Sequence, residues 1–181
     1  MIQTIRLDRV LREAVATPYR NLVTRPTGAL VRRCIEATLA DTACRTVLLD
    51  FSAVELLDLS CADEIVAKLL LAADATQSQY VVLAGLHDHQ REAIEHVLTH
   101  HGLAVLAVCP DDGISVLGRV PEDARAALVW LTDRAGDGAD ADALSTALGW
   151  DAQRARWALD TLAAQRLVRH EGGAFLPLRV A

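Results

Sequence analysis

No stretch of this 181-residue chain approaches the roughly 18 apolar residues that a membrane-crossing helix requires. The opening MIQTIRLDRV lacks the apolar core and cleavage site of a secretory signal, so a cytoplasmic protein with no membrane partner is expected. Cysteine is sparse. Cys34, Cys44, Cys61 and Cys109 form no CxxC pair and lie in or beside apolar stretches, which reads as reduced core thiols and argues against disulfides or a zinc knuckle. Aromatic residues make up 4%, and no carboxylate pair is flanked by aromatic substrate platforms. The chain also lacks a GxxxxGK phosphate loop, a GxSxG turn and any evident nucleophile with its base, so neither an enzyme nor a cofactor is expected. A single lysine, Lys68, stands among the arginines, a bias of base composition from which no function is drawn.

What the chain does contain is ample apolar material, 52% of residues, enough for one medium core or two small ones. Its net charge of -6 opposes long-range attraction to nucleic acid or anionic membrane. Up to about Arg119, apolar strand-like runs alternate with helical patterns, the rhythm of an α/β layer. RTVLLDF (45–51), YVVLAG (80–85) and LAVLAV (103–108) are apolar without alternation, as strands covered on both faces are. Between them, helical spacing aligns Leu30, Val31, Cys34 and Ile35, then Ile65, Val66, Leu69 and Leu70, then Ile94, Val97 and Leu98, with Asp88 and Gly102 as expected caps of the last helix.

A second half follows a boundary at about 116–121. Pro121 suits the start of a helix whose stripe is Ala124, Ala127, Leu128 and Leu131, and RAGDGADAD breaks it. A short helix at 142–148 ends at Gly149, a longer one runs from Asp151 to about Gln165, and LVRHEGGAFLPL reads as a hairpin turning at Gly172 and Gly173. Three helices and a hairpin predict a winged helix-turn-helix. The expected organisation is therefore an α/β domain over 1–118 and a small α+β winged-helix domain over 121–181.

VLLDFSAVELLDLSCADEIVAKLL resembles the STAS domain, the sulphate transporter and anti-sigma factor antagonist fold, and in particular the STAS-like family with a DF strand end and an S-x-A-D-E helix start. The matching residues are Asp50, Phe51, Ser60, Ala62, Asp63 and Glu64, and upstream Arg25 and Gly28 match that family's Arg-x-x-Gly at its first helix. Leu59 stands where many members have a first serine, and Ala62 where the usual residue is glycine. The resemblance implies a STAS-like sheet with helices, acting as an anti-sigma factor antagonist. Ser60 would be the phosphoacceptor, with Asp58, Asp63 and Glu64 around it, and the partner an anti-sigma factor or a histidine-kinase-like ATPase. DADALSTALGWDAQRARWALDTLAAQRLVRHEGGAF resembles the winged helix of bacterial regulators through Leu144, Leu148, Gly149, Leu159, Leu162, Leu167 and Val168.

Ser60 has a plainer reading. Ser-x-x-Asp ahead of an apolar helix is close to a capping box, with the hydroxyl accepting from the third helical amide. The two readings are compatible, and the carboxylates of Asp58, Asp63 and Glu64 predict a phosphate that repels a partner. Glu92, His96 and His100, with His87 and His89 before them, form a histidine-rich helix face. No third strong ligand has metal-site spacing, so a solvated face that also carries Glu95 and Thr99 is expected, and no metal. In the second half, Gln153, Trp157, Asp160 and Ala164 face outward, a poor face for a major groove. Arg154, Arg156, Arg166, Arg169 and Arg179 suit phosphates, yet residues 121–181 hold seven arginines against nine Asp and Glu. Gln153, Arg154, Arg156, Trp157 and Arg169 are thus a candidate contact for a protein partner ahead of DNA. The alternatives are a winged-helix transcription regulator whose first domain senses or dimerises, and a homo-oligomeric scaffold.

Overall fold

The computed structural model describes residues 1–16, 20–73, 79–110, 113–134 and 136–180. Ala135, in the segment expected to break a helix, and the terminal Ala181 lie outside the described residues. The chain forms two compact units, built on Met1–Arg119 and on Val120–Arg179. Both mix helix with strand, and no described helix is long and apolar enough to cross a membrane.

The first unit runs β1 (Ile2–Arg6), α1 (Leu7–Val15), β2 (Asn21–Leu22), α2 (Arg25–Asp41), β3 (Thr46–Asp50) and β4 (Leu56–Leu57). It continues through α3 (Leu59–Ala62), a π-helical segment (Asp63–Ala67), α4 (Lys68–Ala72), β5 (Tyr80–Ala84), α5 (Asp88–His101), β6 (Ala104–Cys109) and β7 (Gly113–Gly118). The sheet order is β1-β3-β5-β6-β7, parallel except for the antiparallel last pair, and β2 pairs with β4 in a separate ribbon.

The three apolar runs become the three central strands, because a parallel strand buried on both faces has no polar positions to alternate with. Register places Ile5, Leu49, Leu83 and Ala107 in one row, all packed in the main core with α1, α2, α3, the π segment and α5. In the neighbouring row, on the opposite face, Val82 and Leu106 are buried and Leu48 is half-buried.

Three expectations need correction. Leu30 is 43% exposed, and the buried stripe of α2 is Gly28, Val31, Ile35 and Leu39, because the helix turns its smallest residue toward α3. The N-cap of α5 is His87, with Asp88 its first residue; the His87 amide donates to Gln90 Oε1 at 3.0 Å, and Gln90 Nε2 donates to the Val54 carbonyl at 2.8 Å. The helix after Leu57 is not regular: the Lys68 amide donates to the Asp63 carbonyl, an i to i+5 bond that widens the turn.

The second unit contains α6 (Glu122–Thr132), α7 (Ala141–Leu148), α8 (Ala152–Ala164) and a hairpin of β8 (Val168–Glu171) and β9 (Ala174–Pro177). Asp140 and Asp151 cap α7 and α8 by accepting from the Ala143 and Arg154 amides, both at 2.8 Å. Gly172 and Gly173 both have positive φ, the requirement of a two-residue hairpin turn. Phe175 also bridges to Ala139, a third strand position that the glycine- and aspartate-rich sequence there does not suggest. Its core joins the α6 stripe to Leu144, Ala155, Ala158, Leu159, Leu162 and Phe175.

Candidate functional site

The site grows from the turn ahead of α3. Asp58, not Ser60, caps this helix: its Oδ1 accepts from the Cys61 amide at 2.7 Å, and the helix begins at Leu59. Both side chains are competent caps, but Asp58 has a second partner that fixes the choice. Its Oδ2 accepts from the Thr24 amide at 3.0 Å, tying the start of α2 to the start of α3. Thr24 has φ 72°, a conformation that a β-branched residue holds only when its surroundings impose it.

Asp58→Ala is expected to lose about 2 kcal/mol, one for the cap and one for the second bond. Asp58→Asn, with one acceptor oxygen, is expected to lose about half as much. The check is the urea midpoint of each variant, and equal midpoints for Asn and wild type would contradict the double role.

From this anchor α2 runs across α3 and the π segment. Gly28 lies against Cys61 and Glu64, and Arg25 Nη1 donates to Asp63 Oδ2 and Glu64 Oε1, each at 2.8 Å. The Glu64 side chain is only 3% exposed, and its carboxylate also meets Lys68, one turn on, and Arg32 Nη2 at 3.5 Å. Asp63 Oδ1 lies 2.8 Å from His101 Nε2 at the end of α5. The π turn sets this up, since its wider pitch buries the whole run Glu64–Ala67 while Asp63 stays at the rim.

Burial alone would raise both carboxyls, but the hydrogen bonds outweigh it and hold both below their ordinary values. They come from Arg25 and His101 at Asp63, and from Lys68 and Arg25 at Glu64. The Cys61 thiol is pushed up to about 12, first by burial and then by Asp58. It is therefore a neutral donor, 3.1 Å from the Thr24 carbonyl oxygen, and not a nucleophile.

Above the network opens a cleft of about 400 Å³, lined by Arg25, Leu59, Ser60, Asp63, His96, Val97, His100 and His101. Leu59 is 50% exposed on its rim. Ser60 is half-buried, and among the described residues no hydrogen bond engages its hydroxyl.

The structure thus gathers Asp58, Ser60, Asp63 and Glu64 with Arg25, and gives them unlike environments. Asp58 and Glu64 are bonded within the fold, whereas Ser60 and Asp63 line the cleft. Sequence reasoning did not connect the histidines to this place. His96 and His100 are exposed on α5, one turn apart, and their spacing signals a shared face but not which neighbour that face meets. Glu92, Glu95 and Thr99 are exposed with them. Among the described residues no cluster of three or more His, Cys, Asp or Glu side chains is arranged to hold a metal.

The second unit's candidate residues are dispersed over α8 and the hairpin. Arg154 makes a two-pronged pair with Asp123, 2.6 and 2.8 Å, and stacks over Trp150 at 4.4 Å. Arg156 pairs with Asp160 at 3.0 Å and Arg169 with Glu171 at 3.5 Å. Gln153 and Trp157 face outward, Trp157 with 51% exposure. No family model, no curated protein and no solved structure matches this chain.

Proposed function

We propose that this protein is a regulator that acts by binding another protein, as STAS-like anti-sigma factor antagonists do, and that Ser60 lies in the contact and switches it. The observation that carries this reading is the position of Ser60. It stands on the rim of an open cleft beside an exposed leucine, its hydroxyl is uncommitted, and the capping task that would explain it belongs to Asp58. The residues behind the STAS resemblance also meet physically: Arg25 and Gly28 contact Asp63, Glu64 and Cys61 across more than thirty positions of chain.

The partner is an anti-sigma factor or a histidine-kinase-like ATPase carrying a nucleoside triphosphate. Ser60 Oγ bonds to the terminal phosphorus as the bond to the bridging oxygen breaks; the nucleoside diphosphate leaves and the hydroxyl proton passes to solvent. The chain itself catalyses nothing in this scheme. The second unit is a winged helix used for protein contact. Its arginines 154, 156 and 169 are spent on neighbouring carboxylates, which favours protein over phosphate backbone, and exposed Trp157 is the anchor type that protein interfaces use.

Ser60→Ala is expected to bind a candidate anti-sigma factor as wild type does, and Ser60→Asp at least tenfold more weakly, about 1.4 kcal/mol. Titration calorimetry with the purified partner measures both. Equal affinities would remove the switch.

A further inference from the structure

The three carboxylates near Ser60 suggest, on sequence alone, that a phosphate there only adds to their negative charge and repels a partner. Their partners in the fold remove that conclusion. Asp58 is occupied by two backbone amides, Glu64 by Arg25, Arg32 and Lys68, and Asp63 by Arg25 and His101. What remains around the cleft is one arginine, one already paired aspartate and three imidazoles from α5. Both Arg25 bonds run through Nη1, so its remaining N–H groups are free to turn toward a ligand. The other charged groups of α5 nearby, Glu92 and Glu95, are exposed, and Glu95 is engaged by the Gly118 amide.

We infer that this cleft is a phosphoryl seat within the molecule: a phosphate on Ser60 is held by His96 and His100 of α5 together with Arg25. The inference rests on the proposed modification of Ser60 and adds where its product goes. A phosphoserine carries close to two negative charges and three strong acceptor oxygens. A ring N–H of imidazole donates to a phosphate oxygen, and the protonated ring and the phosphate dianion each favour the charged form of the other. The pairing draws α5 toward α3 and competes with Asp63 for Arg25 and His101. The phosphorylated state is then a closed cleft with Leu59 and Val97 beneath the phosphate, and the partner loses its surface by occlusion.

The test uses the full chain with phosphoserine installed at position 60 during translation, so no kinase is needed. The 31P signal is titrated with pH in the native protein and in urea. The native midpoint is expected about one pH unit below the unfolded one, a tenfold change in proton affinity. The double variant His96→Gln, His100→Gln is expected to abolish most of the difference, and Thr99→Ala, on the same face, none of it. A native midpoint equal to the unfolded one, a shift untouched by the double variant, or a phosphoprotein that no longer folds would each overturn the inference. None of these outcomes bears on Ser60→Asp binding, and equal partner affinities for Ser60→Ala and Ser60→Asp would leave the titration standing.

Discussion

Gly28→Val is expected to destabilise the first unit by about 3 kcal/mol. A Cβ at position 28 would lie 3.0 Å from Glu64 Cβ, 3.1 Å from Cys61 Cα and 3.2 Å from Cys61 Sγ. Two of these atoms belong to or adjoin the backbone and cannot swing aside, so α2 would have to lift from α3 and the π segment. That displacement stretches the Arg25 bonds to Asp63 and Glu64, coupling the packing error to the ionic network. The sign for Gly28→Ala separates packing from propensity. Alanine in an exposed helix gains about 1 kcal/mol over glycine, whereas here a net loss is expected. Urea unfolding of both variants decides it, and a Val variant as stable as wild type would mean the helices do not approach this closely.

Glu64→Ala is expected to cost about 3 kcal/mol. Its carboxylate is nearly sealed, and removing it leaves three cations converging on a vacated space. Truncating one partner of a fully buried pair costs about 3–5 kcal/mol. Arg25 and Lys68 are half-exposed and can turn to water, which places the value at the lower end. The same cluster sets an acid limit. Both carboxyls sit below their ordinary values of 3.8 for Asp63 and 4.5 for Glu64, so the folded state binds fewer protons there than the unfolded chain. Their contribution is complete above those ordinary values and is lost as pH falls through the lowered folded values. Wild type is therefore expected to lose stability steeply below about pH 4, and the gap between it and Glu64→Gln to narrow there. Urea midpoints at pH 7, 4 and 3 measure this, and a gap that holds constant would contradict it.

Both predictions concern residues whose meaning depends on distance along the chain. Glu64 reads as one acidic residue in a helix start, and nothing local marks it as buried. Arg25 lies 38 and 39 residues away from its two partners. The strands tell the opposite story. β3, β5 and β6 are recognisable because burial on both faces demands an unbroken apolar run. Edge strand β1 was not, since IQTIR keeps polar residues at an edge, and neither were α1 and β7. The π segment escaped for a different reason: an i to i+5 bond needs no special residue, so DEIVA reads as ordinary helix until its neighbours show which side chains are covered.

Local chemistry, carried by the sequence itself, determined the alternation of strand and helix, the glycine stops at Gly102 and Gly149, the Asp151 cap and the glycine hairpin, because each depends on backbone dihedrals and periodicity within a few residues. Tertiary structure alone decided that Asp58 takes the capping role from Ser60, that Glu64 is sealed beneath three cations, and that three α5 histidines line one cleft with Ser60. Those outcomes depend on which distant backbones come within hydrogen-bond reach, and side-chain periodicity contains no record of that.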